Sequence, residues 1–259
     1  MITKKQVKTE YKKNKSQIKT DAKLKKRQAR QEYFRGMTEY YAQVDKPDVI
    51  NPPKRSILEE IGNAVTHGVG TIFAIVALIL MLVASNTGRE YVSACVYSFG
   101  LIILFTASCL YHSFRHGSTV KRLFRRFDYL SIYLLIGATF APILLCYVGG
   151  IFGLVFFIVQ WLVIATGVTF IGVFGPSKLK PLHFTLYFVI GWSGLMFIPQ
   201  MLTDNLGLFF FVLGGGIIYS LGIIPFLMKK SVAHFIWHFF VLAGAVVQWV
   251  GIYLYIYLL

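Results

Sequence analysis

Seven apolar runs follow one another from Ile57 to the end of the chain, and they limit the fold more than any other feature. Short polar breaks separate them, and each run is close to the ~20 residues that a helix needs to cross a hydrocarbon core of ~30 Å. The predicted spans are residues 63–85, 91–113, 127–147, 151–174, 182–201, 207–228 and 233–257. A mean hydropathy of +0.63 is well above what a soluble domain needs to fill its core. The sequence therefore predicts an all-α integral membrane protein, a bundle of seven transmembrane helices.

A basic tail, residues 1–56, precedes this seven-span region of residues 57–259. The net charge is +15, and 16 of the 26 Lys and Arg precede Ser56. In a soluble chain such a charge would suggest nucleic acid, but its concentration in one tail argues against that partner. We expect a cytosolic arm that is either solvated and mostly disordered or partly helical on anionic lipid headgroups, where each cation is worth roughly 1 kcal/mol.

The cations beyond the tail predict the orientation of the bundle. Nine of these ten Lys and Arg lie in the breaks after the second, fourth and sixth predicted spans, and only Arg89 lies elsewhere. Short loops rich in Lys and Arg stay on the cytoplasmic side. We therefore expect the N-terminus inside the cell membrane and the C-terminus outside. This orientation is opposite to that of G-protein-coupled receptors, so seven spans alone do not indicate that class.

The predicted spans contain few side chains that can ionise, and these gather at one predicted depth. Ser108 and His112 share a helix face at the end of the second span, because they are four residues apart. Asp128 lies at the start of the third span. His234 and His238, again four residues apart, lie at the start of the seventh. With the predicted orientation, all five reach the cytoplasmic leaflet within roughly two helical turns of one another in depth.

This gathering predicts a shared metal site or a buried polar site, with zinc as the expected ion. Three neutral imidazoles and a water form a typical open zinc site, in which a carboxylate is either a ligand or a hydrogen-bond partner of a ligand. Ionisable groups are expensive in lipid, which favours a common site over unrelated residues. Two alternatives remain: single histidines as interfacial anchors, and Arg125 or Arg126 as the ion-pair partner of Asp128.

Three further histidines receive weaker assignments. We expect His67, which shares a helix face with Asn63, to line the same cavity or to hold a loop, without binding the metal. His183 is interpreted as a residue of the membrane interface. His116 lies in a basic break and is assigned to solvent.

Several of these residues belong to motifs that resemble a known family. The motifs are EEIGN at 59–63 leading to His67, SCLYHSF at 108–114, FDYLSIYLLIGATFAP at 127–142, GWSGL at 191–195 and AHFIWHFFVLAG at 233–244. Together they resemble the bacterial hemolysin III proteins, within the progestin and adipoQ receptor group that also includes the adiponectin receptors. The resemblance implies that His112, His234 and His238 are zinc ligands, with Asp128 close to the zinc-bound water and Ser108 beside it. It says nothing about the tail.

The resemblance also implies a range of functions. The wider superfamily includes alkaline ceramidases, which implies a zinc-dependent intramembrane hydrolase of lipid amide or ester bonds. In that reaction Asp128 would accept or orient the proton of the attacking water, and Ser108 would donate a hydrogen bond to the oxyanion. Membrane lipids are the expected partners, one of them as substrate. The alternatives are a non-catalytic, zinc-stabilised regulator or sensor of membrane lipid state, and cytolysis, which the family name implies.

Overall fold

The computed structural model describes residues 3–44, 52–228, 230 and 232–259. The chain divides after Pro47 into two compact units, Met1–Pro47 and Asp48–Leu259. The assignment of residues 1–56 and 57–259 to separate domains stays a prediction.

The first unit contains one long helix, Lys4–Val44, which we call the tail helix. Its 41 residues extend over about 60 Å at a rise of ~1.5 Å per residue. The side chains of residues 6–36 are all exposed to solvent. Within this unit, those residues therefore have no packed core to stabilise the helix, and contacts such as the exposed Arg35–Glu39 ion pair of 3.0 Å contribute little.

The second unit is a seven-helix membrane bundle, as the sequence predicts. Among the described residues, seven helices are long and apolar enough to cross a membrane. In chain order, spans 1 to 7 are Ile57–Ala84, Gly88–Ser113, Thr119–Val148, Gly150–Phe174, Lys180–Asp204, Leu206–Leu227 and Ala233–Leu258. The bundle explains the high mean hydropathy of the chain. Apolar side chains fill its core, and many more are exposed on its outside, where the lipid of a membrane would contact them.

Spans 1 and 3 begin well before the predicted positions of 63 and 127. The Ser56 side chain caps span 1 by accepting a hydrogen bond from the amide of Glu59, and Ser118 caps span 3 in the same way through the amide of Lys121. Such N-caps stabilise a first turn whatever its polarity. The prediction from hydropathy missed both first turns because they are charged, and it thereby placed Lys121 in a loop.

Three spans contain irregular helix. Span 3 is α-helical from Thr119–Pro142 and continues as a π-helix over Ile143–Val148, and span 7 changes from Ala233–Ile252 to a π-helix over Tyr253–Leu258. Span 5 consists of Lys180–Trp192, a 3-10 turn over Ser193–Phe197 and Ile198–Asp204. The irregular backbone follows Pro142 and precedes Pro199, as expected where proline removes a helix hydrogen bond.

Span 2 packs between spans 1 and 3, and span 7 packs against spans 1 and 6. The start of span 2 meets the end of span 7, where the hydroxyls of Ser93 and Tyr257 are 2.6 Å apart. Ser93 also approaches the thiol of Cys146 at the end of span 3, at 3.2 Å. The candidate functional side chains lie at the opposite end of the bundle, where spans 1, 3 and 7 begin and span 2 ends.

Candidate metal centre

Three imidazoles converge at the end of the bundle where spans 1, 3 and 7 begin, which we call the histidine end. His112 comes from the last turn of span 2, and His234 and His238 come from the first two turns of span 7. The Nε2 atom of His234 is 3.4 Å from that of His112 and 3.3 Å from that of His238. His112 and His238 are buried and His234 is half-buried. One nitrogen from each of the three rings lies within 4.8 Å of the others, so the cluster could hold a metal ion.

The spacing of two of the three nitrogen pairs fits a tetrahedral ion with short bonds. Ligands about 2.0–2.1 Å from a tetrahedral zinc stand roughly 3.3–3.4 Å from one another, which is the spacing of the two closest nitrogen pairs here. Without an ion, three Nε2 atoms facing one another would leave lone pairs or protons opposed. Three imidazoles with room for a fourth ligand also match the composition of open zinc sites.

Glu60 fixes the orientation of His112. Its Oε2 atom accepts a hydrogen bond from Nδ1 of His112 at 2.6 Å, whereas the amide of Asn63 stands 3.3 Å from the same nitrogen. A proton on Nδ1, shared with the carboxylate, leaves the Nε2 lone pair free to face the cluster. Metal-binding histidines commonly have such a carboxylate partner, which sets the tautomer and makes the ring a stronger ligand.

The same carboxylate is held by a buried lysine. Lys121 Nζ is 2.9 Å from Oε1 of Glu60 and donates to the carbonyl of Phe114 at 3.0 Å. The Lys121 side chain is only 1% exposed, and that of Glu60 is 15% exposed. An ion pair this deep resists being broken, because either partner alone would be a buried charge. Spans 1, 2 and 3 are thereby linked through one chain of contacts that ends at the metal cluster.

Sequence reasoning missed both Glu60 and Lys121 as functional residues. Glu60, Asn63 and His67 follow one another at helical spacing on one face of span 1, and that signal could have indicated a polar face directed inward. No comparable signal identifies Lys121, which reads as one more cation in a basic break. The carboxylate expected beside the ligands was Asp128, but the carboxylate that hydrogen-bonds His112 is Glu60.

A long cavity starts at the histidine end and runs between the spans. Its wall includes Ser108, Asp128, His67, His234 and His238. Ser108 and Asp128 come from neighbouring spans 2 and 3 and line the same cavity. The structure thus brings the predicted site residues to one wall, although their roles as ligands and catalytic groups stay predictions.

His67 and Asn63 take different positions relative to this cavity. His67 lines it and stacks on His238, with ring centroids 3.8 Å apart. Asn63 is fully buried and contacts His112 instead. His67 therefore packs against His238 from the side, while Asn63 contacts His112.

The remaining polar residues lie apart from the cluster. His183, expected at the membrane interface, is buried, and its Nδ1 atom is 2.9 Å from the Tyr133 hydroxyl. His116 is exposed, and its Nε2 atom is 3.0 Å from the carbonyl of Pro52. Arg125 donates to the Ser177 hydroxyl and Arg126 to the carbonyl of Gly172, both at 2.9 Å. These two contacts direct the guanidinium groups toward the connection between spans 4 and 5.

Comparison with known proteins identifies the family. The model of the haemolysin-III related family matches residues 55–249, a segment that contains every residue of the cluster and its supports. The chain is a member of the haemolysin III family. It is 34% identical to hemolysin-3 of Bacillus cereus over 205 residues, which are 77% of this chain and 93% of the relative.

Two other relatives extend the comparison. A hemolysin-3 homolog of Bacillus subtilis (strain 168) is 34% identical over 195 residues, which are 73% of this chain and 91% of the relative. The monocyte to macrophage differentiation factor of Homo sapiens is 31% identical over 212 residues, which are 79% of this chain and 87% of the relative. The predicted relationship to hemolysin III and to the receptor-like proteins of this group is confirmed. The family match begins at residue 55 and does not include the tail helix.

Proposed function

We propose that this haemolysin III protein is a zinc-dependent intramembrane hydrolase of lipid amide or ester bonds. The observation that carries the proposal is the convergence of three Nε2 atoms at the end of an apolar cavity that also has Ser108 and Asp128 on its wall. A zinc ion held by the three imidazoles would act as a Lewis acid and lower the pKa of a water molecule at the site.

The side chains around the cluster supply the other requirements of hydrolysis. The Asp128 carboxylate is suited to accept a proton from the attacking water and to return it to the leaving group. The Ser108 hydroxyl is suited to donate a hydrogen bond to the carbonyl oxygen as negative charge develops there. Glu60 and His67 contact two of the three imidazoles and would hold them in orientation for a metal ion.

The shape of the cavity supports a lipid substrate. It extends along span 7 from His234 to Gln248, about 21 Å at a rise of ~1.5 Å per residue. A single leaflet occupies about half of the ~30 Å hydrocarbon core, so one acyl chain fits this length. Most of the lining is apolar, and the histidine end, where three imidazoles and Asp128 gather, is proposed to receive the carbonyl of a bound lipid.

Spans 5 and 6 offer a route by which lipid enters. Phe188 and Leu195 of span 5 line the cavity and are 53% and 48% exposed. The indole of Trp192 donates to the Ser220 hydroxyl at 3.1 Å and is a polar contact between these two spans. A lipid passing between spans 5 and 6 would reach the histidine end without leaving the hydrocarbon.

The histidine end is proposed to face the cytoplasm of a cell with the protein in its plasma membrane. Support comes from the cations: Lys121, Arg122, Arg125 and Arg126 lie in the first turns of span 3, at the same end as the start of span 1. Reporter fusions test this orientation: a cytoplasmic reporter should be active at the N-terminus and an extracytoplasmic one after Leu259. The reverse pattern would contradict it.

The test of catalysis uses purified full-length protein and a panel of ceramides and acyl lipids. Zinc content is measured in the same samples. We expect one zinc ion per chain and release of fatty acid from at least one lipid class. Asp128→Asn should abolish release while zinc remains, and His234→Ala should abolish both. His116→Ala is the matched control, because it removes an exposed imidazole outside the cluster and should change neither.

Other outcomes favour the alternatives. Zinc bound at one per chain without hydrolysis across the panel, and unchanged cellular lipids in Asp128→Asn, would favour a zinc-stabilised regulator of membrane lipid state. Lysis of red cells by membranes containing the protein, lost on chelation, would favour the activity that the name of the Bacillus cereus relative indicates.

A further inference from the structure

The tail contains a sequence repeat of eleven residues. Residues 4–14, 15–25 and 26–36 read KKQVKTEYKKN, KSQIKTDAKLK and KRQARQEYFRG. Six positions of the repeat keep their chemistry: Lys at the first, Gln at the third, Val, Ile or Ala at the fourth, Lys or Arg at the fifth, Glu or Asp at the seventh, and Tyr or Ala at the eighth. A solvated spacer needs no such periodicity, so the repeat indicates a surface that is used.

The repeat arranges these side chains in rows along the tail helix. Eleven residues complete slightly more than three turns of α-helix, so each repeat position returns to nearly the same side, and rows of exact period eleven follow about 98° per residue. Two adjacent rows are apolar: Val7, Tyr11, Ile18, Ala22, Ala29 and Tyr33. Next to them, an arc of roughly 100° carries eight of the eleven cations of residues 6–36: Lys8, Lys12, Lys15, Lys19, Lys23, Lys26, Arg27 and Arg30.

The acidic residues occupy the other side of the helix. Glu10, Asp21 and Glu32 form one row roughly 180° from the centre of the basic arc. The basic and apolar rows are joined by the contact of Lys15 Nζ with the ring of Tyr11, 5.7 Å from its centroid. All of these side chains are exposed in the structure. The tail helix therefore has one side that is basic and apolar and one side on which the three acidic residues balance the three remaining cations, Lys13, Lys25 and Arg35.

We propose that the tail helix lies flat on an anionic lipid surface, with the basic arc on the phosphate groups, the apolar rows at the headgroup boundary and the acidic row in solvent. Each Lys or Arg near such a surface favours binding by about fivefold. Because the tail is covalently continuous with a membrane-spanning unit, a bilayer is always within its reach. This proposal is independent of the metal centre and its chemistry.

Pairing of two tail helices is an alternative that the same pattern favours less. A parallel pair of tail helices would bury the apolar rows and bring the acidic row of one helix beside a basic row of the other. Two of the six apolar side chains are alanines, however, and the three acidic residues would leave most of the eleven cations of each helix facing like charge. An anionic surface neutralises all of the basic arc at once.

The experiment measures amide hydrogen exchange in the full-length protein, with one copy in each lipid nanodisc. One set of nanodiscs contains phosphatidylcholine alone, and in the other about one lipid in three is phosphatidylglycerol, an anionic lipid. We expect residues 6–36 to exchange about tenfold more slowly, or slower still, in the anionic nanodiscs, and to lose this protection in high salt.

Two triple variants test which side of the helix is used. Lys8→Gln with Lys19→Gln and Arg30→Gln removes one row of the basic arc. Lys13→Gln with Lys25→Gln and Arg35→Gln removes the same residue types from outside the arc. We expect the first variant to weaken surface binding by about a hundredfold and the second by less than fivefold.

Several results would overturn the proposal. Equal losses in both variants would mean that only net charge matters, and equal protection in neutral nanodiscs would exclude the anionic surface. Protection that appears only with two copies per nanodisc would assign the face to a second chain. Protection by added RNA in detergent, with none from anionic nanodiscs, would assign it to nucleic acid.

Discussion

Glu60 uses its two carboxylate oxygens for different partners, which makes it the link between the histidine cluster and span 3. Oε2 binds His112 at 2.6 Å and Oε1 binds Lys121 at 2.9 Å. One partner faces the metal cluster, and the other belongs to the packing of span 3. Substitutions at the two ends of this chain of contacts should therefore have separable effects, one on the metal and one on the fold.

Replacing Glu60 should weaken metal binding without removing a ligand. In Glu60→Gln the neutral amide no longer favours the proton on Nδ1 of His112, and such partners typically change metal affinity 10–100-fold. Competition with a zinc chelator measures the affinity. Glu59→Gln is the matched control, because Glu59 pairs with Arg55 at 3.3 Å and not with a histidine. Equal zinc affinity in the two variants would contradict the role of Glu60.

Replacing Lys121 should destabilise the bundle more than replacing the pair. Lys121→Met leaves the Glu60 carboxylate without its buried cation, and breaking such pairs typically costs about 3–5 kcal/mol. The double variant Lys121→Met with Glu60→Gln removes both charges and should recover much of that loss. Thermal unfolding in detergent measures the effect. A double variant less stable than Lys121→Met alone would contradict the prediction, because the Glu60 carboxylate would then stabilise the bundle even without Lys121.

At the scale of a residue, sequence identifies the ligands better than their supports. His234 and His238 could be predicted as a pair because their spacing lies within one helix. The partnership of Glu60 with His112 depends on how spans 1 and 2 are rotated against each other, which no local pattern records. Lys121 was missed because a buried lysine differs from an exposed one only in its surroundings.

At the scale of helices, the close approach of spans 2 and 3 depends on Gly100. A Cβ atom at this position would collide with the Cβ of Ala138 and lie 3.2 Å from the carbonyl oxygen of Leu134. The carbonyl oxygen of Leu134 belongs to the backbone of span 3 and cannot rotate away as a side chain can. An added Cβ would therefore force spans 2 and 3 apart. Their separation would also move His112, which lies three turns further along span 2.

Gly100→Ala should therefore lower stability by about 1–3 kcal/mol, the usual cost of overpacking a tight interface. Gly172→Ala is the control, because nothing lies within 4 Å of the Cβ that it adds to span 4. Thermal unfolding of the two variants in the same detergent makes the comparison. An equal loss in both would mean that the effect lies in the helices themselves and not in their crossing.

The seven spans were predictable because hydropathy acts over whole helices. The first residues of spans 1 and 3 were harder to predict. The caps at Ser56 and Ser118 precede charged first turns, and a search for apolar residues finds neither the caps nor these turns. The tail helix illustrates the opposite difficulty. Its rows become visible only when the chain is divided into elevens, because the apolar rows are narrow and the cations dominate the composition.

At the scale of the whole molecule, the metal centre should stabilise the entire bundle. His112 lies on span 2, and the other two histidines lie on span 7, so a bound ion cross-links spans that are far apart in sequence. A ligand that binds only the folded state stabilises it by about 4 kcal/mol at a thousand times its dissociation constant. We expect a zinc chelator to lower the unfolding temperature of the wild-type protein clearly.

His238→Ala provides the control for this prediction. The variant should unfold at a lower temperature than the wild type, and the chelator should change that temperature little. A chelator effect of equal size in both proteins would mean that the metal acts elsewhere.

The sequence separation of 122 residues between His112 and His234 has a consequence for biosynthesis. Membrane proteins are inserted from the N-terminus onward, so six spans can be in the bilayer while the nascent chain offers a single imidazole of the cluster. The three imidazoles can come together only after span 7 has been inserted. Binding of a metal ion by all three imidazoles would therefore be a late event in biosynthesis. A chain stalled before span 7 would have only His112 of the three.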